Sequence, residues 1–268
     1  MDHHIELLEA HVSYKGEQRF YRDMAEPLGR DVELAIYVPV ASLLKGRHCP
    51  VLFYLPELGC TARDMANQSD YQCYANRYDI ILVVPDIFSH LQGSVGEKLQ
   101  QYQSERDSIL HYLTESLPHV LEHRFRIFDA WGLMGYGFGG TVALDLALRY
   151  PNLYRGVSLF APWLGFYGSV WFREHCEALG ISADIDPLVA LESGEKTLGI
   201  PLWLDQGDAD PLLGQQIQYE AVQRVLGTQP VSCTLNTRKR YDHSFFFVHS
   251  HAREQVVFHD DCYDGVAG

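Results

Sequence analysis

The stretch that most constrains this chain is Gly135-Tyr136-Gly137-Phe138-Gly139-Gly140. An apolar segment, Trp131 to Met134, leads into it, and a helix-like segment, Thr141 to Tyr150, leads out. Strand, tight glycine turn and helix in immediate succession is a βα unit. Such units need a sheet whose strands are joined by crossover helices.

The rest of the chain repeats that alternation. Asp31 to Val40 places Val32, Leu34, Ile36 and Val38 on one face, the pattern of a half-buried strand. Pro50 to Pro56 and Asp79 to Asp86 are continuous apolar runs, as expected of strands covered on both faces. Gly156 to Pro162, Pro201 to Gly207 and Val231 to Thr237 are further strands. Helices are expected over Asp64 to Tyr74, about Gln100 to Phe125 with a kink at Pro118, Gly214 to Leu226, and Ser244 to Phe258. Residues 1–30 are mixed and polar. The predicted fold is α/β, a mostly parallel central sheet with helices on both faces. One domain over residues 1–268 is expected, with 163–199 as a small, irregular, aromatic-rich cap-like insertion. In such a sheet the chemistry lies just past the carboxyl ends of the strands. Four loops are predicted there: 57–61, 135–139, 207–213 and 241–244.

Composition narrows the partners. An apolar fraction of 47% suffices for a large core, and a formal net charge of −14 argues against nucleic acid or an anionic membrane. The longest aliphatic run, Ile80 to Val84, is far shorter than the roughly 20 residues of a membrane span. Met1 to Glu6 shows no secretory pattern. Six scattered cysteines without a C-x-x-C pair suggest reduced thiols. A cytoplasmic protein is expected, with a homodimer left open. His249, His251, His259, Asp260 and Asp261 do not place three ligands on one helical face, so neither a metal nor a cofactor is expected.

Strand, glycine turn and helix is also the context of the G-x-S-x-G nucleophile elbow, in which Gly137 takes the place of serine. The acid and the histidine of a triad would follow in chain order as Asp210, past one strand, and His243, past the last. The chain resembles the S-formylglutathione hydrolase (esterase D) family of α/β-hydrolases. The resemblance runs over about residues 5–259. It is carried by Tyr37-Val38-Pro39, Pro50 to Leu55, Leu58-Gly59-Cys60-Thr61, Val84-Pro85-Asp86, Leu159-Phe160-Ala161-Pro162, Asp205-Gln206-Gly207 and Tyr241-Asp242-His243-Ser244-Phe245-Phe246-Phe247. It implies His243 as general base, Asp210 as its partner, and the backbone N–H groups of Leu58 and Phe138 as oxyanion donors. Tyr136, Cys60 and Trp163 would line the substrate pocket.

Three features depart from the family. Gly137 replaces the nucleophile, whose loss costs about 10⁶ in kcat. Glu57 stands where the family has glycine. A carboxylate about 4 Å from a developing oxyanion would oppose it by about 4 kcal/mol at an effective dielectric near 20. The 87–97 loop lacks the family's longer insert, so glutathione thioester specificity is not implied. These departures lead to an expected enzyme without a covalent nucleophile. A His243–Asp210 dyad, with Glu57 as a second acid/base group, would act on a small carbonyl or (thio)ester substrate, free or carrier-bound, in lyase, cyclisation or condensation chemistry. Two alternatives stay open: a catalytically inactive binding or scaffold protein, and a weak esterase or thioesterase that activates water directly. Cys60 is read as structural rather than nucleophilic.

Overall fold

A computed structural model describes residues 5–68 and 70–264. Residues 1–4, expected to carry no leader, lie outside them. The strands are β1 (Glu6–Ser13), β2 (Gly16–Ala25), β3 (Arg30–Val38), β4 (Cys49–Leu55), β5 (Ile81–Pro85), β6 (Ile127–Tyr136), β7 (Tyr154–Phe160), β8 (Leu202–Gly207) and β9 (Cys233–Arg238). They form one sheet in the order β1-β2-β3-β5-β4-β6-β7-β8-β9. The pairs from β5 through β4, β6, β7 and β8 to β9 are parallel, while β1, β2 and β3 join antiparallel at one side. The sheet is therefore the mostly parallel one predicted.

The helices are α1 (Val40–Lys45), α2 (Ala62–Asn67), α3 (Tyr71–Arg77), α4 (Val95–His111), α5 (Leu117–Arg124), α6 (Phe138–Arg149), α7 (Val170–His175), α8 (Pro187–Glu192), α9 (Tyr219–Leu226) and α10 (Phe245–Tyr263). All seven residues of β4 are buried, as a strand covered on both faces must be. On β7, Ser158 Oγ meets His259 Nε2 of α10 at 2.9 Å, while α6 packs against β6 and β7. His259 is wholly buried, and that burial pushes its pKa down to about 3, so it is a neutral core histidine.

Several elements differ from the sequence expectation. The β1–β2 hairpin occupies part of the stretch read as mixed and polar. The helix expected over 64–74 is two short ones. The helix expected from about Gln100 begins at Val95, where Ser94 and Glu97 form a capping box. Pro118 does not kink a continuous helix. A π-helical turn over Tyr112–Ser116 ends at Leu117, and Pro118 falls in the first turn of α5, where its missing N–H costs little. The cap-like segment holds α7 and α8 as well as irregular chain.

Register sets the position of the site. Leu55 pairs with Gly135, Tyr136 with Phe160, and Phe160 with Asp205. The carboxyl ends of β4, β6, β7 and β8 thus lie side by side. The loops that follow β4, β6, β8 and β9 open at one mouth.

Candidate active site

The elbow is built from backbone. Gly137 sits at φ +54° and ψ −121°, where a residue with a β-carbon is strained. Its N–H donates to Phe160 O at 2.9 Å, and its carbonyl accepts from Trp163 N at 3.2 Å. Gly139 follows so closely on β4 that a β-carbon there would run into the carbonyl oxygens of Leu55 and Pro56. This contact brings the first turn of α6 against the loop that carries Glu57.

That loop is a tight turn closed by Cys60 N donating to Glu57 O at 2.9 Å. It runs into a capping box in which Thr61 and Asp64 start α2. The Glu57 side chain folds back into the mouth instead of pointing to solvent, and is only 13% exposed. Its Oε1 accepts from Leu58 N at 2.5 Å and from Phe138 N at 3.1 Å. These are the two N–H groups expected as oxyanion donors. Its Oε2 meets His243 Nε2 at 3.0 Å. A β-carbon built on Gly137 would overlap that same Oε2. The Glu57 carboxylate therefore takes both N–H groups expected as oxyanion donors and the space of a side chain at 137.

His243 Nδ1 meets Asp210 Oδ2 at 2.8 Å. Asp210 is fixed in turn: Gln206 Nε2 donates to Oδ2 at 3.0 Å and Leu212 N to Oδ1 at 2.8 Å. The acid and histidine loops are joined by Ala209 N donating to Tyr241 O at 3.0 Å. Tyr136 stacks on the His243 ring, with centroids 4.9 Å apart and planes 26° apart. Both imidazole nitrogens face carboxylates, which only accept, so the ring donates from both and is an imidazolium. Burial alone would lower the His243 pKa. The hydrogen bonds with Asp210 and Glu57 outweigh it and raise the value to about 9. At neutral pH His243 holds the proton, with the Glu57 carboxyl oxygen 3.0 Å from its Nε2.

A cavity of about 690 Å³ opens on this centre, lined by Glu57, Cys60, Tyr136, His243, Ser244, Phe245 and Phe246, with Asn67, Gln68, Asp70 and His249 at its polar side. Trp163 does not line it. Its ring packs between Phe138 of α6 and Trp171 of α7, 5.8 and 6.2 Å between centroids. The Cys60 thiol is pushed up to about 12 by burial and by Glu57, so it is no thiolate at neutral pH. His249 pairs with Asp70 and His251 with Glu254, on different partners from His259. Among the described residues no helix is long and apolar enough to cross a membrane. The sequence reading did not single out Asn67, Gln68, Phe245, Phe246 or His249 for the pocket. The aromatic run after His243 was the available signal.

A family described as "Putative esterase" matches residues 25–260, most of the chain. The chain belongs to this esterase family. Its solved structural neighbours are of the same α/β-hydrolase fold. An S-formylglutathione hydrolase from Agrobacterium tumefaciens superposes with a TM-score of 0.82 at 23% identity, covering 96% of this chain and 99% of that one. One from Staphylococcus aureus gives 0.66 at 13% identity, covering 97% and 98%. A ferulic acid esterase from Anaeromyces mucronatus, solved with ferulic acid, gives 0.67 at 15%, covering 94% and 91%. Within the esterase family, then, this member carries Gly137 at the β6–α6 turn and a Glu57 side chain turned onto the N–H groups of Leu58 and Phe138.

Proposed function

We propose that this esterase-family protein is an enzyme that moves protons at a small carbonyl or (thio)ester substrate, without a serine intermediate. Glu57 takes a proton from the carbon next to the carbonyl, and His243, held by Asp210, gives one to the carbonyl oxygen. The observation that carries this reading is the Glu57 carboxylate hydrogen-bonded to His243 Nε2 at the floor of the cavity. A histidine acid and a carboxyl base in contact suit enolisation and the lyase, cyclisation or condensation steps that follow it.

The test is hydrogen–deuterium exchange at the α-carbon of acyl thioesters and aryl ketones in heavy water, followed by NMR. Wild-type protein should accelerate exchange, and Glu57→Gln should lose about 10²–10⁴ of that rate. Exchange should also fall as pH rises through about 9, where His243 gives up its proton. Exchange that is absent in the wild type, or unchanged in Glu57→Gln, would sink the proposal. A filled hole also suits a binding protein with no chemistry. That second reading requires His243→Ala to leave the protein's pathway function intact.

A further inference from the structure

An oxyanion hole stabilises the oxygen of the carbonyl under attack. In this protein the oxygen already held by Leu58 N and Phe138 N is Glu57 Oε1. The carbon placed for tetrahedral chemistry is therefore the Cδ of Glu57 itself. The other oxygen, Oε2, lies over the glycine of the elbow beside His243, at the wall of the cavity. From this geometry we infer that Glu57 is a nucleophile toward alkyl electrophiles, epoxides or primary halides, and that the hole and His243 then hydrolyse the glutamyl ester to an alcohol.

The substrate class follows from the occupied hole. Attack of Oε2 on an acyl carbon would build an oxyanion that needs those same two N–H donors, and they are taken. Displacement at a saturated carbon builds no such oxyanion, so it proceeds with Oε1 in place. The wall of Tyr136, Phe245 and Phe246 suits an aryl group on the electrophile. Phe246 stands at the rim, 84% exposed.

The steps balance for an epoxide. Oε2 attacks the less hindered ring carbon, the C–O bond of the ring breaks, and the alkoxide takes the proton from His243 Nε2. The neutral imidazole then takes a proton from water as that water attacks Cδ, and the new oxyanion forms on Oε1 in the hole. Collapse expels the diol oxygen, which takes the proton back from His243. The remaining carboxylic proton passes to His243, restoring the carboxylate and the imidazolium. The sum is epoxide plus water giving diol, and one oxygen of water enters Glu57. With a primary halide, the halide leaves in the first step and one proton is released overall.

The proposal goes beyond the proton-transfer reading. It places the same Glu57 and His243 on a different substrate, and its readout is an oxygen atom instead of a carbon-bound deuterium, so either can fail alone. Styrene oxide and phenethyl bromide are the probes. With enzyme in excess over styrene oxide in heavy-oxygen water, mass spectrometry should find label in the peptide carrying Glu57, against a control without substrate. Glu57→Gln should lose about 10³-fold or more of turnover. His243→Gln with phenethyl bromide should accumulate an adduct on Glu57, because displacement of bromide needs no acid and ester hydrolysis needs the base. The wild-type label stands even if that variant does not fold. Label confined to the diol, an adduct on a cysteine only, or no turnover of either probe would overturn the proposal.

Discussion

Positions 137 and 57 compete for one space, since a β-carbon at 137 would overlap the Glu57 carboxylate. The Glu57 carboxylate occupies the volume that a side chain at 137 would need, while accepting from Leu58 N and Phe138 N. Restoring serine alone therefore sets its β-carbon against Oε2 in a backbone conformation that costs an L-residue about 1–3 kcal/mol. Gly137→Ser should hydrolyse p-nitrophenyl acetate no better than wild type. Adding Glu57→Gly should raise the rate by about 10²-fold or more over the single variant, since a freed hole donor is worth about that much. A single variant with ordinary esterase turnover would refute the coupling. The sequence showed both departures, and the chain order of Gly137, Asp210 and His243. It could not show that Glu57 turns inward, because that depends on a side chain folding back onto the N–H of its own neighbour. Nor could it show that His243 rests as an imidazolium, since that follows from having a carboxylate on each ring nitrogen.

At the scale of elements, legibility followed burial. β4 and β5 are continuous apolar runs because both their faces are covered, and their sequence expectation matches the structure. β1 is exposed along most of its length, so its side chains carry little burial pattern. β2 buries Gln18 and Asp23 among its apolar residues, which breaks the alternation a strand would show. The six-residue helices α7 and α8 are too short for a helical period to register. The contact of α6 with β4 is the element on which the site depends. It places Phe138 N within reach of Glu57, and it exists because Gly139 has no β-carbon to meet Leu55 O and Pro56 O. Those neighbours are backbone and cannot turn aside, so Gly139→Ala must push the helix away. It should cost about 1–3 kcal/mol, seen as a melting temperature lower by about 2–4 °C per kcal/mol, and it should lose the proposed α-carbon exchange with Glu57 and His243 both present. Unchanged melting would show that α6 has slack at this point.

Across the whole molecule, the buried cation Arg106 ties α6 to the 163–199 segment. Arg106 of α4, 8% exposed, donates through Nη2 and Nε to Asp145 Oδ2 of α6 at 2.8 and 3.2 Å. It also donates through Nη1 to Asp184 Oδ2 at 2.7 Å and through Nη2 to Asp184 O at 2.6 Å. Asp145 is held on its other oxygen by Arg149 at 2.8 Å. A second buried carboxylate, Asp186, accepts from the N–H groups of Gly165, Tyr167 and Leu188 and fixes the cap's own loops. The 163–199 segment is thus pinned to α4 and α6 by polar contacts that a sequence cannot pair, since they join residues 39 and 78 positions apart. Removing the guanidinium leaves Asp145 buried with one partner in place of two, and unties Asp184 from the core. Breaking a buried ion pair in this way costs about 3–5 kcal/mol. Arg106→Ala should therefore lower the melting temperature by on the order of 10 °C and speed proteolysis within 163–199. Arg106→Lys keeps the charge but not the fork, so it should fall between the two. Equal melting of Arg106→Ala and wild type would mean that the aromatic packing of Trp163 and Trp171 holds the cap without the ion pairs.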